Sequence, residues 1–186
     1  MKKFVIVLLI LFCSLPGVFA EKVDGVEIPN TIRSGGETLQ LNGAGTRMKF
    51  IIKVYVGGLY LQSSSTDPEA VIEANEPMAI RLEFVRNVDN QSIIDAWNAG
   101  FKNSAADGYR TSQNLIDQFN GVFSSNVKKD GVYLIEYIPD EGTRVSINGE
   151  ERALIRGLGF KQAVFAIWLG SKPADQKLKE GMLSGR

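Results

Sequence analysis

The stretch NGAGTRMKFIIKVYVGGLYL, residues 42–61, decides which fold the sequence predicts. Its part from Phe50 to Leu61 is the most strand-like run in the chain, because Ile, Val and Tyr dominate it and polar segments bound it. Side chains alternate between the two faces of a strand. This strand should therefore have one apolar face, with Phe50, Ile52, Val54 and Val56, and one face with polar heads, with Ile51, Lys53 and Tyr55. We expect it to lie near the centre of a sheet.

Two groups of glycines belong to the same stretch. The first, at residues 43–45, is expected to let the chain turn tightly before Arg47. It is not a dinucleotide-binding loop, because Met48 stands where that motif needs a third small residue and no helix follows. The second group, Gly57 and Gly58, lies inside the predicted strand, where glycine often marks the close approach of a ligand or of another backbone.

Lys53 and Tyr55 allow two interpretations. If their face is buried, the ammonium and the phenol need polar partners, because burying them unpaired is unfavourable. That interpretation predicts a binding site. In the other interpretation both side chains face solvent on an ordinary sheet, and the glycines form a bulge.

Outside this stretch the pattern predicts a single α+β domain. A short helix through Val71 and Ile72 should follow Asp67, with Thr66 and Glu69 at capping-box spacing. Residues 80–84 alternate as a half-buried strand does, and two amphipathic helices follow, with Asp89 and Ser112 as N-caps. Residues 132–155 predict an antiparallel meander with a hairpin turn at Asn148 and Gly149, and residues 160–183 return to helix. Together these elements predict helices packed on one face of an antiparallel sheet.

The N-terminus has the pattern of an export signal. Lys2 and Lys3 precede an apolar run over residues 4–15, and Ala20 supplies the small residue before a cut. Residues 1–20 are thus predicted to be a signal peptide and 21–186 the domain, located in the periplasm or secreted. The alternative is a membrane anchor, but twelve apolar residues span only about 18 Å against a hydrocarbon core of about 30 Å. We expect no integral membrane segment after cleavage.

Composition excludes several classes of function. The chain has no histidine, so Ser-His-Asp catalysis and zinc sites that depend on histidine are ruled out. Its one cysteine, Cys13, leaves with the signal. Loss of residues 1–20 removes two lysines from a chain with 21 basic and 21 acidic residues, and the remaining basic residues are scattered. We therefore expect no nucleic-acid partner, no metal site and no cofactor.

Five segments carry a resemblance to a known family. They are G-A-G-x-R at residues 43–47, K-V-Y-x-x-G-L-Y-L at 53–61, VDGVEIP at 23–29, AIRLEFVRNV at 79–88 and IWLGSKPADQKLKEGML at 167–183. In their order along the chain, these segments resemble the chalcone isomerase fold family, especially its exported bacterial chalcone isomerase-like branch. The resemblance covers nearly all of residues 22–183. It implies an open-faced β-sandwich in which an antiparallel sheet and a layer of helices enclose a cleft.

The resemblance also implies roles for individual residues. Plant enzymes of the family close chalcones to flavanones, and plastid relatives bind fatty acids; in both, an arginine at the position of Arg47 faces the ligand. In the fatty-acid binders a tyrosine on the following strand also contacts the acid group, and Tyr55 matches that tyrosine. The isomerases carry a threonine at this position. The isomerases also use a tyrosine and an asparagine. An ungapped count places Ile93 and Gly100 at the positions of these two residues. Neither residue supplies a hydroxyl or an amide.

Three functions follow from these observations. The first is a non-catalytic protein that binds a small acidic amphiphile such as a fatty acid, with Arg47, Tyr55 and Lys53 as ligand-binding residues, because a guanidinium grips both oxygens of a carboxylate. The second is an isomerase, an intramolecular lyase, acting on an unsaturated carbonyl compound, with Arg47 as electrophile and Tyr55 or Lys53 as proton donor. The third is a structural or interaction protein of the cell envelope. The sequence does not predict an oligomeric state.

Overall fold

The computed structural model describes residues 20–185. Their elements, in chain order, are β1 (Ala20–Val23), β2 (Val26–Pro29), β3 (Thr31–Ser34), β4 (Glu37–Lys49), β5 (Ile52–Leu61), α1 (Pro68–Glu73), β6 (Met78–Phe84), α2 (Asn90–Ala106), α3 (Gln113–Gly121), β7 (Val132–Ile138), β8 (Gly142–Ile147), β9 (Glu150–Ile155), α4 (Leu158–Leu169) and α5 (Gln176–Met182). The predicted signal peptide lies outside the described residues except for Ala20, which begins β1.

Strands β3 to β9 form one antiparallel sheet in which every strand pairs with the next along the chain. The main core lies between this sheet and the helices, and Tyr55 of β5 and Trp97 of α2 belong to it. A smaller core lies on the opposite face, where Ile28 of the β1–β2 hairpin packs with Val56 and Tyr60 of β5. The predicted class, an antiparallel sheet with a layer of helices on one face, is confirmed.

The glycines at residues 43–45 do not form a turn, so that prediction is wrong. They lie inside β4, paired with β5, and the C-terminal helix α5 packs directly on them. A Cβ atom on Gly43 would lie 2.1 Å from the carbonyl oxygen of Gly181, and one on Gly45 would lie 3.1 Å from the Cα atom of Leu178. Because both distances are shorter than the contacts that a Cβ atom normally makes, the glycines are needed for close approach between a strand and a helix backbone.

Strand β5 begins at Ile52, two residues later than predicted. Phe50 adopts a φ of +58° and turns the chain between β4 and β5. Other predicted boundaries agree more closely with the structure. Helix α2 starts after Asp89, whose side chain accepts a hydrogen bond from the N–H of Ser92 at 2.8 Å, and the turn at Asn148 and Gly149 has positive φ at both residues. Both features follow the predicted chemistry of the helix cap and the hairpin.

The cap of α1 differs from the prediction in one respect. Asp67, rather than Thr66, is the N-cap, and its carboxylate accepts hydrogen bonds from the N–H groups of Glu69 and Ala70. Ser112 occupies the N-cap position of α3 as predicted, but its side chain makes no capping hydrogen bond. The described helices are all too short or too polar to cross a membrane.

Lys161 of α4 is a fully buried cation that the sequence does not identify. Its Nζ atom donates to the carbonyl oxygens of Val71, Ile72 and Ala74 at 2.7, 2.8 and 2.8 Å, which are free acceptors at the C-terminal end of α1. Burial lowers the pKa of Lys161 to about 7, while three carbonyl acceptors match the three hydrogens that only the ammonium form carries. The side chain thus fastens α1 to α4.

Replacing Lys161 with methionine should lower the free energy of unfolding by about 2 kcal/mol or more, because it leaves buried carbonyl oxygens without a donor. Urea denaturation followed by circular dichroism measures this change. Lys102→Met, at an exposed position of α2, is the matched control and should have little effect. Equal losses for the two variants would show that the three hydrogen bonds do not stabilise the fold.

Candidate functional site

A cavity of about 420 Å³ opens between the β4–β5 hairpin and the start of α2. Its volume is within the range of about 300–1,000 Å³ that is usual for small-molecule sites. Three elements form its wall: the hairpin, the segment after β6 and the first two turns of α2. The lining residues that carry charge or hydrogen-bonding groups are Arg47, Lys49, Tyr55, Arg86, Asn87, Asp89, Ser92 and Trp97.

Arg47 lies on β4 directly opposite Tyr55 of β5, so the structure brings these two predicted site residues together. The guanidinium carbon lies 5.9 Å from the centre of the Tyr55 ring. Arg47 is half-buried, and among residues 20–185 it has no ion pair and no side-chain hydrogen bond. A half-buried guanidinium without a carboxylate is available to bind an anion.

Tyr55 is 1% exposed, and its hydroxyl oxygen accepts a hydrogen bond of 2.9 Å from the indole Nε1 of Trp168. Burial raises the pKa of Tyr55 to about 12, although the positive charge of Arg47 and the bond from Trp168 act in the opposite direction. The phenol therefore keeps its proton at neutral pH. Because Trp168 donates to the oxygen, the hydroxyl hydrogen remains available for an acceptor in the cavity.

Trp97 is a site residue that sequence reasoning missed. It lies on the buried face of α2 and lines the same cavity, but its Nε1 atom is buried and has no hydrogen-bond partner in the described part of the chain. Buried donors are nearly always paired, so the unpaired N–H of Trp97 is unusual, although the atom itself is not exposed to the cavity. The apolar pattern of α2 predicts that Trp97 is buried, but it does not predict that the ring lies in a cavity wall.

Lys53 does not line the cavity, which corrects the prediction that it shares a face with Tyr55. The pairs Arg47–Tyr55 and Met48–Lys53 are consecutive on β4 but leave out Val54 on β5, so the register shifts by one residue. This irregularity reverses the alternation, and Ile52 and Val54 line the cavity instead. The Lys53 ammonium forms a 2.8 Å ion pair with Asp24 in the turn between β1 and β2.

The aromatic residues behind the cavity fill the space between sheet and helices. The rings of Trp97, Phe119 and Phe123 lie 5.3–5.9 Å apart, and Trp168 lies 5.4 Å from Trp97. These separations are those of packed aromatic pairs. The helical stripes of α2 and α3 are therefore mainly core. A second, smaller cavity of about 170 Å³ adjoins the first at Arg47, Ala96 and Trp97.

Charge around the cavity is predominantly positive. Arg47, Lys49 and Arg86 line it, and Asp89 is the one acidic residue among the lining residues. The Asp89 carboxylate already accepts hydrogen bonds from Ser92, which lower its pKa, and it caps α2. Within residues 20–185, no three acidic, histidine or cysteine side chains lie together as a metal site requires. The arrangement suits an anionic group better than a cation.

Comparison with known proteins gives two findings. A family model described as chalcone isomerase-like matches residues 20–184. The structure is similar to the crystal structure of a fatty-acid binding protein from Arabidopsis thaliana, with a TM-score of 0.70, 18% sequence identity, and coverage of 86% of this chain and 92% of that chain. No curated protein sequence matches significantly. At this identity the structural match shows the fold, which agrees with the fold predicted from the sequence motifs.

The different hydrogen bonding of the two buried indoles can be tested by double-mutant cycles. Trp168→Phe and Tyr55→Phe remove the two partners of one hydrogen bond, so we expect their effects on the free energy of unfolding to be coupled by about 1 kcal/mol. Trp97→Phe and Tyr55→Phe share no hydrogen bond and should be nearly additive. Urea denaturation of the three single and two double variants, with the wild type, measures both couplings. Similar couplings in the two cycles would contradict the assignment of donors.

Proposed function

Because the chain belongs to the chalcone isomerase-like family, we propose that it uses the cleft of that fold to bind a small acidic amphiphile such as a fatty acid. The observation that carries this proposal is the unpaired Arg47 guanidinium beside the Tyr55 hydroxyl group in one cavity. A carboxylate offers two oxygens that accept from the guanidinium in parallel and still have capacity for other donors. The Arabidopsis protein of the same fold is named a fatty-acid binding protein, which supports this class of ligand.

The distribution of polarity suggests how such a ligand lies. Tyr55 and Trp97 are each 1% exposed and form the inner end of the cavity. Phe50 and Ile52 line its outer end and are exposed. Packed rings fill the space between Trp97 and α3, so an alkyl chain does not continue in that direction. We therefore propose that the acid group points inward, toward Arg47, and the tail points outward along the hairpin.

The proposed function is non-catalytic. By the resemblance to plant isomerases, the positions of a catalytic tyrosine and asparagine correspond to Ile93 and Gly100. Ile93 contributes only an aliphatic side chain to the cavity, and a Cβ atom on Gly100 would lie 2.7 Å from Cγ2 of Ile167. These two positions therefore lack the hydroxyl and the amide that the plant reaction uses, whereas Arg47 and Tyr55 remain to bind an oxyanion.

Removing the Arg47 guanidinium should weaken binding of dodecanoic acid by about tenfold to a hundredfold, the equivalent of about 1.5–3 kcal/mol for hydrogen bonds to a charged group. Isothermal titration calorimetry on Arg47→Ala measures the change. Arg47→Lys should recover only part of the affinity, because an ammonium lacks the fork of parallel donors. Lys53→Ala is the matched control, since it removes a neighbouring cation that is paired with Asp24 outside the cavity.

Two outcomes would overturn the proposed function. One is equal affinity for dodecanoic acid and for dodecanol, because the alcohol has no negative charge for Arg47. The other is an equal loss of affinity in Arg47→Ala and Lys53→Ala. Turnover of chalcones or other enones that Arg47→Ala abolishes would instead support an isomerase.

We also propose that the protein acts outside the cytoplasm, in the periplasm or after secretion. This rests on the pattern of residues 1–20, with two lysines, an apolar run and Ala20 before the expected cut. Expression of the full chain in a bacterium with N-terminal sequencing of the soluble product should give Glu21 as the first residue. Replacing Ala20 with a bulky residue such as Trp should leave the uncut precursor. An intact N-terminus on the wild-type product would refute cleavage.

A further inference from the structure

The tip of the β4–β5 hairpin exposes three consecutive apolar side chains. Phe50 is 92% exposed, Ile51 is 91% exposed and Ile52 is 43% exposed. The only other exposed large hydrophobic side chain in residues 20–185 is Leu154 of β9, at 37%. Single exposed apolar residues are common on protein surfaces, whereas a contiguous group at a projecting tip indicates a binding surface.

The backbone of this tip is strained in a way that the other turns are not. Phe50 has a φ of +58°, in the left-handed region that bulky residues seldom adopt. The other described non-glycine residues with positive φ are all Asp or Asn, the types that tolerate it: Asp24, Asp130, Asp140 and Asn148. The hairpin therefore holds a large aromatic side chain outward, in solvent, where a glycine or an asparagine would be more stable.

The tip lies at the opening of the ligand cavity and is accompanied by positive charge. Phe50 and Ile52 line the outer end of the cavity together with Lys49 and Arg86, both of which are exposed. Lys53, the next residue along β5, is paired with Asp24 and adds no net charge. An apolar tip with cations beside it is complementary to a bilayer surface that contains anionic lipids, because apolar groups enter the interface and cations meet the headgroups.

We propose that residues 49–52, which we term the hairpin tip, dock the protein on an anionic lipid surface. Phe50 and Ile51 insert at the level of the headgroups, and Lys49 and Arg86 contact lipid phosphates. Docking in this orientation brings the opening of the cavity against the bilayer. An acidic amphiphile then passes between lipid and cavity with its tail shielded from water, a step that rests on the proposed function, whereas docking itself does not.

A second copy of the chain is the competing occupant of this surface. Two hairpin tips that face each other would bring two positively charged cavity openings together, which is unfavourable. Three side chains at a projecting turn also provide little of the roughly 1,000 Å² that a specific protein interface buries. The charge and the small contact area both favour lipid.

Co-sedimentation with lipid vesicles tests the proposal. The wild-type protein should bind phosphatidylcholine vesicles containing about one-third phosphatidylglycerol, and added salt should weaken the binding. Ile51→Asp should reduce binding at least tenfold, because it places a carboxylate where an apolar side chain inserts. Leu154→Asp is the matched control, with the same substitution at an exposed position on β9. Ile51 does not line the cavity, so Ile51→Asp should retain the affinity for dodecanoic acid in solution.

Each outcome supports or overturns the inference. Preferential binding to the anionic vesicles that is lost in Ile51→Asp and kept in Leu154→Asp supports it. Lack of vesicle binding by the wild-type protein, equal binding to pure phosphatidylcholine vesicles, or equal losses in the two variants overturns it. Concentration-dependent self-association that Ile51→Asp abolishes, without vesicle binding, assigns the surface to a second copy. A loss of dodecanoic acid binding in Arg47→Ala tests the proposed function separately.

Discussion

The Asp175 carboxylate accepts a hydrogen bond of 2.9 Å from the backbone N–H of Met48, at the point where β4 and β5 change register. Its other oxygen accepts from the N–H of Leu178 and caps α5. One side chain thus links the start of the last helix to the irregularity in the hairpin. A register shift changes which side chains face each side of a sheet. Because of this register shift, Arg47 and Tyr55 face the cavity and Lys53 faces away from it.

Close packing of α5 on β4 supports the same arrangement. Gly43 and Gly45 allow the helix backbone to approach the strand, and Asn42 beside them donates to the carbonyl oxygens of Ser65 and Met182 at 2.8 Å each. These contacts order the strand that leads to Arg47. The site is therefore built on a strand held from one side by a helix and from the other by β5, which favours a precise orientation of the guanidinium.

The sequence predicts the elements of this fold better than it predicts the details of the site. Periodicity and caps identify β6, α2 and the turn at Asn148, because these depend on residues close in sequence. Arg47 and Tyr55 were found through the resemblance to a family, and the structure places them on one cavity. The predicted face of Lys53 was wrong, because simple alternation does not anticipate the register shift between Arg47 and Met48. The carboxylate that binds the N–H of Met48 at this shift, Asp175, is 127 residues further along the chain.

Residues whose roles depend on distant partners could not be identified from sequence. Lys161 interrupts an apolar helix, but only the packing of α1 shows that three carbonyl oxygens receive its hydrogens. Trp97 and Trp168 are both buried indoles, and they differ only in whether Nε1 meets the hydroxyl of Tyr55. The same hairpin carries buried donors at one end and exposed apolar side chains at the other. A ligand with an acidic head and an apolar tail matches this change from polar to apolar when its head lies inside the cavity. Its tail then extends toward the hairpin tip, which is the part of the molecule best suited to contact lipid.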